Sequence, residues 1–219
     1  MSVLVAISGA SGAPYAVRFL QRCPGEKDLV VSRWAREILR DECGLTLDDL
    51  RPLVRNIYPP ENAMATPPAS GSNRYEAMVV IPCSVATLAR IRHGLADTLL
   101  TRAAETMLKE RRRLVLCVRE TPLSTAALEN AAWLSHEGVV VMPAAPPFYK
   151  HPASLEELVD HFVDKVLGVL GVADPRPFEG LRPAAAGEAS LRLVPGAGEA
   201  GPRAGEPQPG GGADEGESE

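Results

Sequence analysis

Five short apolar runs, at residues 3–7, 28–32, 77–82, 113–118 and 138–142, carry Val, Leu and Ile without the polar alternation of a half-exposed strand. Each is separated from the next by a segment of helical period. A strand that is apolar on both faces must be covered on both faces. In an α/β chain that means a parallel sheet between two helical layers. The expected fold is therefore a doubly wound α/β sheet of the Rossmann-like or flavodoxin-like kind.

The helical segments carry their own start signals. Pro14 sits near the first turn of a helix ending at Arg22, and Arg33 to Cys43 places Trp34, Ile38 and Leu39 on one side, as a buried face would require. Asp97 is expected to cap the helix that follows it, Ser124 one at 125–136, and Ser154 with Glu156 and Glu157 a last one to about Leu170. Residues 56–74, rich in Pro, Gly, Asn and Ser, read as an irregular excursion.

Of the 219 residues, 45% are hydrophobic and 23% charged, and no apolar stretch nears the ~20 residues that cross a bilayer. The first apolar run stops at Ile7 with no basic patch or cleavage site beside it, so no membrane association and a cytoplasmic location are expected. The spacing of Cys23, Cys43, Cys83 and Cys117 fits neither zinc ligation nor a redox pair, which leaves reduced, mostly buried thiols. The net charge of −5 is all carried by residues 183–219, where seven acids face Arg192 and Arg203. Residues 1–182 are neutral overall, which argues against nucleic acid as a partner. The 183–219 stretch has 14 Gly or Pro and no aromatic residue, so one domain over 1–182 followed by a disordered acidic tail is expected.

Candidate chemistry collects where strands end. SGASGAP (Ser8 to Pro14) removes every large side chain between a strand and a helix, so that backbone N–H groups and the hydroxyls of Ser8 and Ser11 can approach an anion; it can equally be a tight turn and nothing more. Pro82 leads the third run into a helix with Ser84 and Thr87 at its start. LVLCVRETPL ends in Arg119, able to grip a phosphate, and Glu120, able to act as acid or base. After the last run, PAAPPFYKHP places Phe148 and Tyr149 where neither helix nor strand can continue, as pocket wall or as core. Most of the cations around the 99–113 helix read as a solvated basic face. No aspartate cluster suits a metal diphosphate, and the four His are scattered, so no metal is expected.

GASGAPY, PPASGS, PCSVATLA, LLTRAAETMLKERRRLVLCVRETPL and PAAPPFY, in this order, resemble the UbiX-type flavin prenyltransferases over residues 2–171. That resemblance implies an enzyme joining a dimethylallyl group from dimethylallyl monophosphate to N5 and C6 of reduced FMN. The product is prenylated FMN, destined for a partner decarboxylase of the UbiD type. It further implies FMN contacts at Gly9, Ala10, Ser11, Ser32, Ser84, Val85, Ala86, Thr87 and Arg119. Prenyl-phosphate contacts are implied at Arg102, Lys109, Tyr149 and Lys165. Ser11 and Glu120 would serve the departing phosphate and Glu42 the proton lost on ring closure, within a homo-oligomer, typically a dodecamer.

Two positions depart from the family pattern. Lys165 stands where the family usually has Arg, keeping the charge but losing the planar fork. The aromatic residue nearest to a Trp that the family carries after the last helix is Phe178. An FMN-dependent cysteine decarboxylase would need a His on an early helix and a PASANT-like segment, whereas this chain has PPASGS and no His before His93. A non-catalytic flavin carrier would share the cofactor turns without needing Glu42, Lys109, Glu120 and Tyr149 together.

Overall fold

A computed structural model describes residues 1–172. The boundary at 182, the acidic tail and Phe178 lie outside the described residues. Six strands, β1 (Ser2–Ile7), β2 (Glu26–Val31), β3 (Asn56–Tyr58), β4 (Ala77–Cys83), β5 (Arg113–Val118) and β6 (Val140–Pro143), form one sheet in the order β3-β2-β1-β4-β5-β6. All five pairings are parallel. This is the Rossmann order, in which the chain winds outward from β1 in one direction and from β4 in the other.

The unbroken apolar runs are explained by the layers. Val3, Val5 and Ile7 point into one core with α1 (Ala13–Arg22), α2 (Arg33–Cys43) and α7 (Leu155–Val169). Leu4 and Ala6 point into the other with α4 (Val85–Arg92), α5 (Leu99–Lys109) and α6 (Thr125–His136). The short α3 (Leu47–Leu50) precedes β3. Ser84, Ser124 and Ser154 cap their helices as expected, each accepting a hydrogen bond from the N–H three residues on. Cys23, Cys83 and Cys117 are buried thiols, and Cys43 is partly exposed. No helix among the described residues is long and apolar enough to cross a membrane.

Four sequence expectations need correction. Residues 56–58 are a strand, because Arg55 and Asn56 are drawn to Asp28 on β2 and bring the backbone into register. The cap of α5 is Thr98, whose hydroxyl accepts from Thr101 N, while Asp97 accepts from the Thr101 hydroxyl and pairs with Arg90. Arg112 is not solvated: it donates to the carbonyls of Gly71 and Asn73 and to Asn73 Oδ1, fastening the 59–74 excursion to the start of β5. Trp34 is 68% exposed, and Ala35 and Leu39 form the buried stripe of α2 instead.

Candidate functional site

In the Rossmann order the crevice lies between the carboxyl ends of β1 and β4, where the winding reverses. Here the two ends are bonded to one another. Ser8, 1% exposed, donates from Oγ to Pro82 O (2.9 Å) and accepts from Ser84 N (2.7 Å). Its hydroxyl is thus a structural strut rather than an anion donor. On one side of this pair, Ser32 N donates to Ile7 O (2.9 Å), and Ser32 Oγ caps α2 by accepting from Ala35 N. On the other, Arg119 N donates to Cys83 O (3.1 Å), and Arg119 Nε reaches back across the sheet edge to Ser11 O (3.0 Å). Three junctions, carrying Ser32, Ser84 to Thr87 and Arg119, are therefore bonded to the segment Ile7–Ser11 that holds the fourth.

The start of α1 is not an open anion site. Glu42 Oε2 accepts from both Gly12 N and Ala13 N (2.8 Å each), so the positive end of that helix is already matched by a carboxylate of this chain. Gly12, at φ +116°, provides the left-handed step that turns these N–H groups toward Glu42. Glu42 is a candidate from the sequence on other grounds, and the 30 residues between it and Gly12 carry no local sign of the pairing.

The turn must also be small. A Cβ on Gly9 would lie 2.8 Å from Trp34 Cβ, and Ala10 is 4% exposed with its N–H on Ser8 O. Ala10→Leu should abolish retention of a yellow flavin while leaving the far-ultraviolet circular dichroism of the fold unchanged. Flavin retained at parental affinity would reduce SGASGAP to a plain turn.

The remaining candidates divide by depth. Glu120 follows Arg119 on the same edge, exposed, accepting from Thr121 N (3.0 Å). Phe148 (75% exposed) and Tyr149 (52%) stand in the loop after β6, also at this edge, so Phe148 is not core. Arg102 lies one turn into α5, whose first N–H, from Leu99, bonds Pro60 O just past β3; among the described residues the buried Arg102 Nε has no hydrogen-bond partner. Lys109, by contrast, ends α5 immediately before β5 begins and pairs with Glu110, which puts it at the amino edge. Lys165 lies about 15 Å down α7 from its start, at 1.5 Å per residue, level with the Arg22–Asp164 pair at the foot of α1. Lys109 and Lys165 therefore stand toward the amino edge, away from the turn to which Glu42 and Arg119 are bonded.

Among the described residues no group of three or more His, Cys, Asp or Glu is placed to hold a metal. A cavity of about 620 Å³ opens at the amino edge. Its Arg55 is already paired with Asp28 and Glu26, so it offers little to an anionic ligand.

A Rossmann-ordered sheet whose switch point is lined by hydroxyls, a guanidinium and a turn of minimal side chains defines a protein that binds a phosphorylated ring cofactor. The chain belongs to the flavoprotein family, whose model matches residues 1–168, and within it to the UbiX-type flavin prenyltransferases. It is 43% identical over 175 residues to the flavin prenyltransferase UbiX of Thermoplasma acidophilum, covering 80% of this chain and 97% of that one. A dodecameric FMN-dependent UbiX-like decarboxylase from Escherichia coli O157:H7 is 44% identical with a TM-score of 0.78, covering 83% and 100% of the two chains. AnUbiX, solved with FMN and dimethylallyl pyrophosphate, is 37% identical with a TM-score of 0.78, covering 83% and 98%.

Proposed function

We propose that this chain is a flavin prenyltransferase: it transfers the dimethylallyl group of a dimethylallyl phosphate, taken to be the monophosphate, to N5 and then C6 of reduced FMN. The observation that carries this reading is the bonding of Ser32 to Ile7, Ser84 to Ser8 and Arg119 to Ser11 around the end of β1, in a chain 43% identical to a flavin prenyltransferase. FMN fits the donors present. Ser11, Ser32, Ser84 and Thr87 would hold it through hydroxyls, Val85 and Ala86 through backbone, and Arg119 through its charge. Gly9 and Ala10 let the ligand lie against main chain. Bound reduced FMN supplies the nucleophilic nitrogen and carbon.

The chain's own residues do the rest. Breaking the allylic C–O bond leaves a carbocation and a phosphate. Arg119 and Arg102, with Tyr149 as a hydroxyl donor, hold the departing anion. Glu120, exposed beside Arg119, delivers a proton to that phosphate with the help of Ser11. Glu42, fixed against Gly12 and Ala13, accepts the proton released on ring closure.

Lys109 and Lys165 are exposed toward the amino edge, away from the Gly9–Ser11 turn of their own chain. We assign them to the sites of neighbouring copies in a homo-oligomer, with a dodecamer as the expected size. The product goes to a UbiD-type decarboxylase. A reducing cytoplasm, which would keep both the flavin and the four free thiols reduced, suits the reaction.

The test is anaerobic incubation with reduced FMN and dimethylallyl monophosphate, read by mass spectrometry. A flavin heavier by one C5 unit is expected. Bound flavin of unchanged mass would refute the reading in favour of a carrier. Glu120→Gln should bind FMN as the parent does but prenylate it about a hundredfold more slowly.

A further inference from the structure

Trp34 is one of two tryptophans in the chain, and the helix period of α2 directs it toward the core. It is instead 68% exposed. It stands in the first turn of α2, two residues after Ser32, and so rises from the carboxyl edge on the β2 side of β1. Its base is pressed against the flavin turn: a Cβ on Gly9 would lie 2.8 Å from Trp34 Cβ, 3.6 Å from Cγ and 3.8 Å from Cδ1. Gly9 is thus the residue that makes room for the indole. On the β4 and β5 side the same turn is held by Arg119 through Ser11 O. The Gly9–Ser11 turn therefore has an aromatic ring on one flank and a guanidinium on the other.

We infer that Trp34 is an aromatic wall of the flavin site, packing its indole against FMN bound over the Gly9–Ser11 turn. This rests on the flavin reading above. An exposed indole beside a ring-binding turn gains both apolar burial and stacking when a flat aromatic ligand arrives, the two terms that make aromatic contacts strong. The Arg33 guanidinium lies 5.7 Å from the indole centroid, within cation–π range. Trp34 takes no part in either hydrophobic core, so replacing it leaves the fold without a cavity, and Ala suits a helix better than Trp does.

The experiment uses the full chain and two readouts. FMN titrations should show Trp34→Ala weakened about tenfold, with Trp34→Phe within about threefold of the parent, since Phe restores a ring face. In a Trp133→Phe background, where Trp34 is the single tryptophan, bound FMN should slow oxidation of the indole by N-bromosuccinimide, followed by mass. Trp34→Ala binding FMN as tightly as the parent, or oxidation unaffected by FMN, overturns the inference. If Trp34→Ala changes only the size of the oligomer, Trp34 belongs to a subunit contact and the inference also falls. A parent protein that fails to bind FMN at all overturns the flavin reading itself, which is a distinct result.

Discussion

Glu42→Gln will slow prenyl transfer by about a hundredfold or more while FMN binding stays within a fewfold of the parent. The reason lies in the one use seen for this carboxylate, holding the turn, and the second proposed for it, taking a proton. Oε2 takes the N–H groups of Gly12 and Ala13, and an amide oxygen can still accept from them. What the amide cannot do is take a proton, and general base catalysis of this kind contributes roughly 10²–10⁴ in rate. Glu42→Ala removes both functions. It leaves two N–H groups at the start of α1 without their acceptor, a loss comparable to removing a helix cap and worth about 1 kcal/mol, and it frees the Gly9–Ser11 turn, so FMN affinity should fall as well. Single-turnover rates measured beside flavin titrations separate the two variants. A Glu42→Gln protein that prenylates at the parental rate would confine Glu42 to holding the turn.

Asp28→Ala should lower the melting temperature by roughly 10 °C. Asp28 is wholly buried on β2, where it accepts from Arg55 Nη2 (2.7 Å), Arg55 Nε (3.1 Å), Asn56 Nδ2 (3.0 Å) and the Tyr75 hydroxyl. Breaking a buried pair by removing one partner costs roughly 3–5 kcal/mol. Because Arg55 is 43% exposed and can turn to water, about 3 kcal/mol is the better figure. At roughly 2–4 °C per kcal/mol for a chain of this size, that gives the stated shift.

The same cluster sets an acid limit. Burial raises the Asp28 pKa, but the hydrogen bonds from Arg55, Tyr75 and Asn56 outweigh it and leave the group below its ordinary value. A depressed folded pKa means the stabilisation is complete above the unfolded value, about 3.9, and is lost as pH falls below it. The gap in melting temperature between parent and Asp28→Ala should therefore be constant near neutral pH and close in acid below about pH 4. A gap that persists unchanged at pH 3 would count against this account.

How much was legible without coordinates can be judged from particular elements. Five of the six strands announced themselves, because a strand buried on both faces has no alternative to a continuous apolar run. β3 did not: its three residues are held by the Arg55 and Asn56 contacts to Asp28, and an edge strand that short carries no period of its own. The caps at Ser84, Ser124 and Ser154 were legible because capping is local. Trp34 was misjudged for the opposite reason: a helix period states which residues share a face, and only the neighbouring turn at Gly9 decides where the face ends.

The sequence by itself determined the parallel sheet, the four junctions that bear hydroxyls and charge, and, through its ordered motifs, the flavin prenyltransferase family. These follow from periodicity, capping and residue type, all of which act over a few neighbours along the chain. Tertiary structure alone decided that β1 and β4 adjoin through Ser8, that Glu42 matches the start of α1, and that Arg119 meets Ser11. Those pairings span 29 to 108 residues. They depend on strand order and on helix direction, and no local physical signal encodes either.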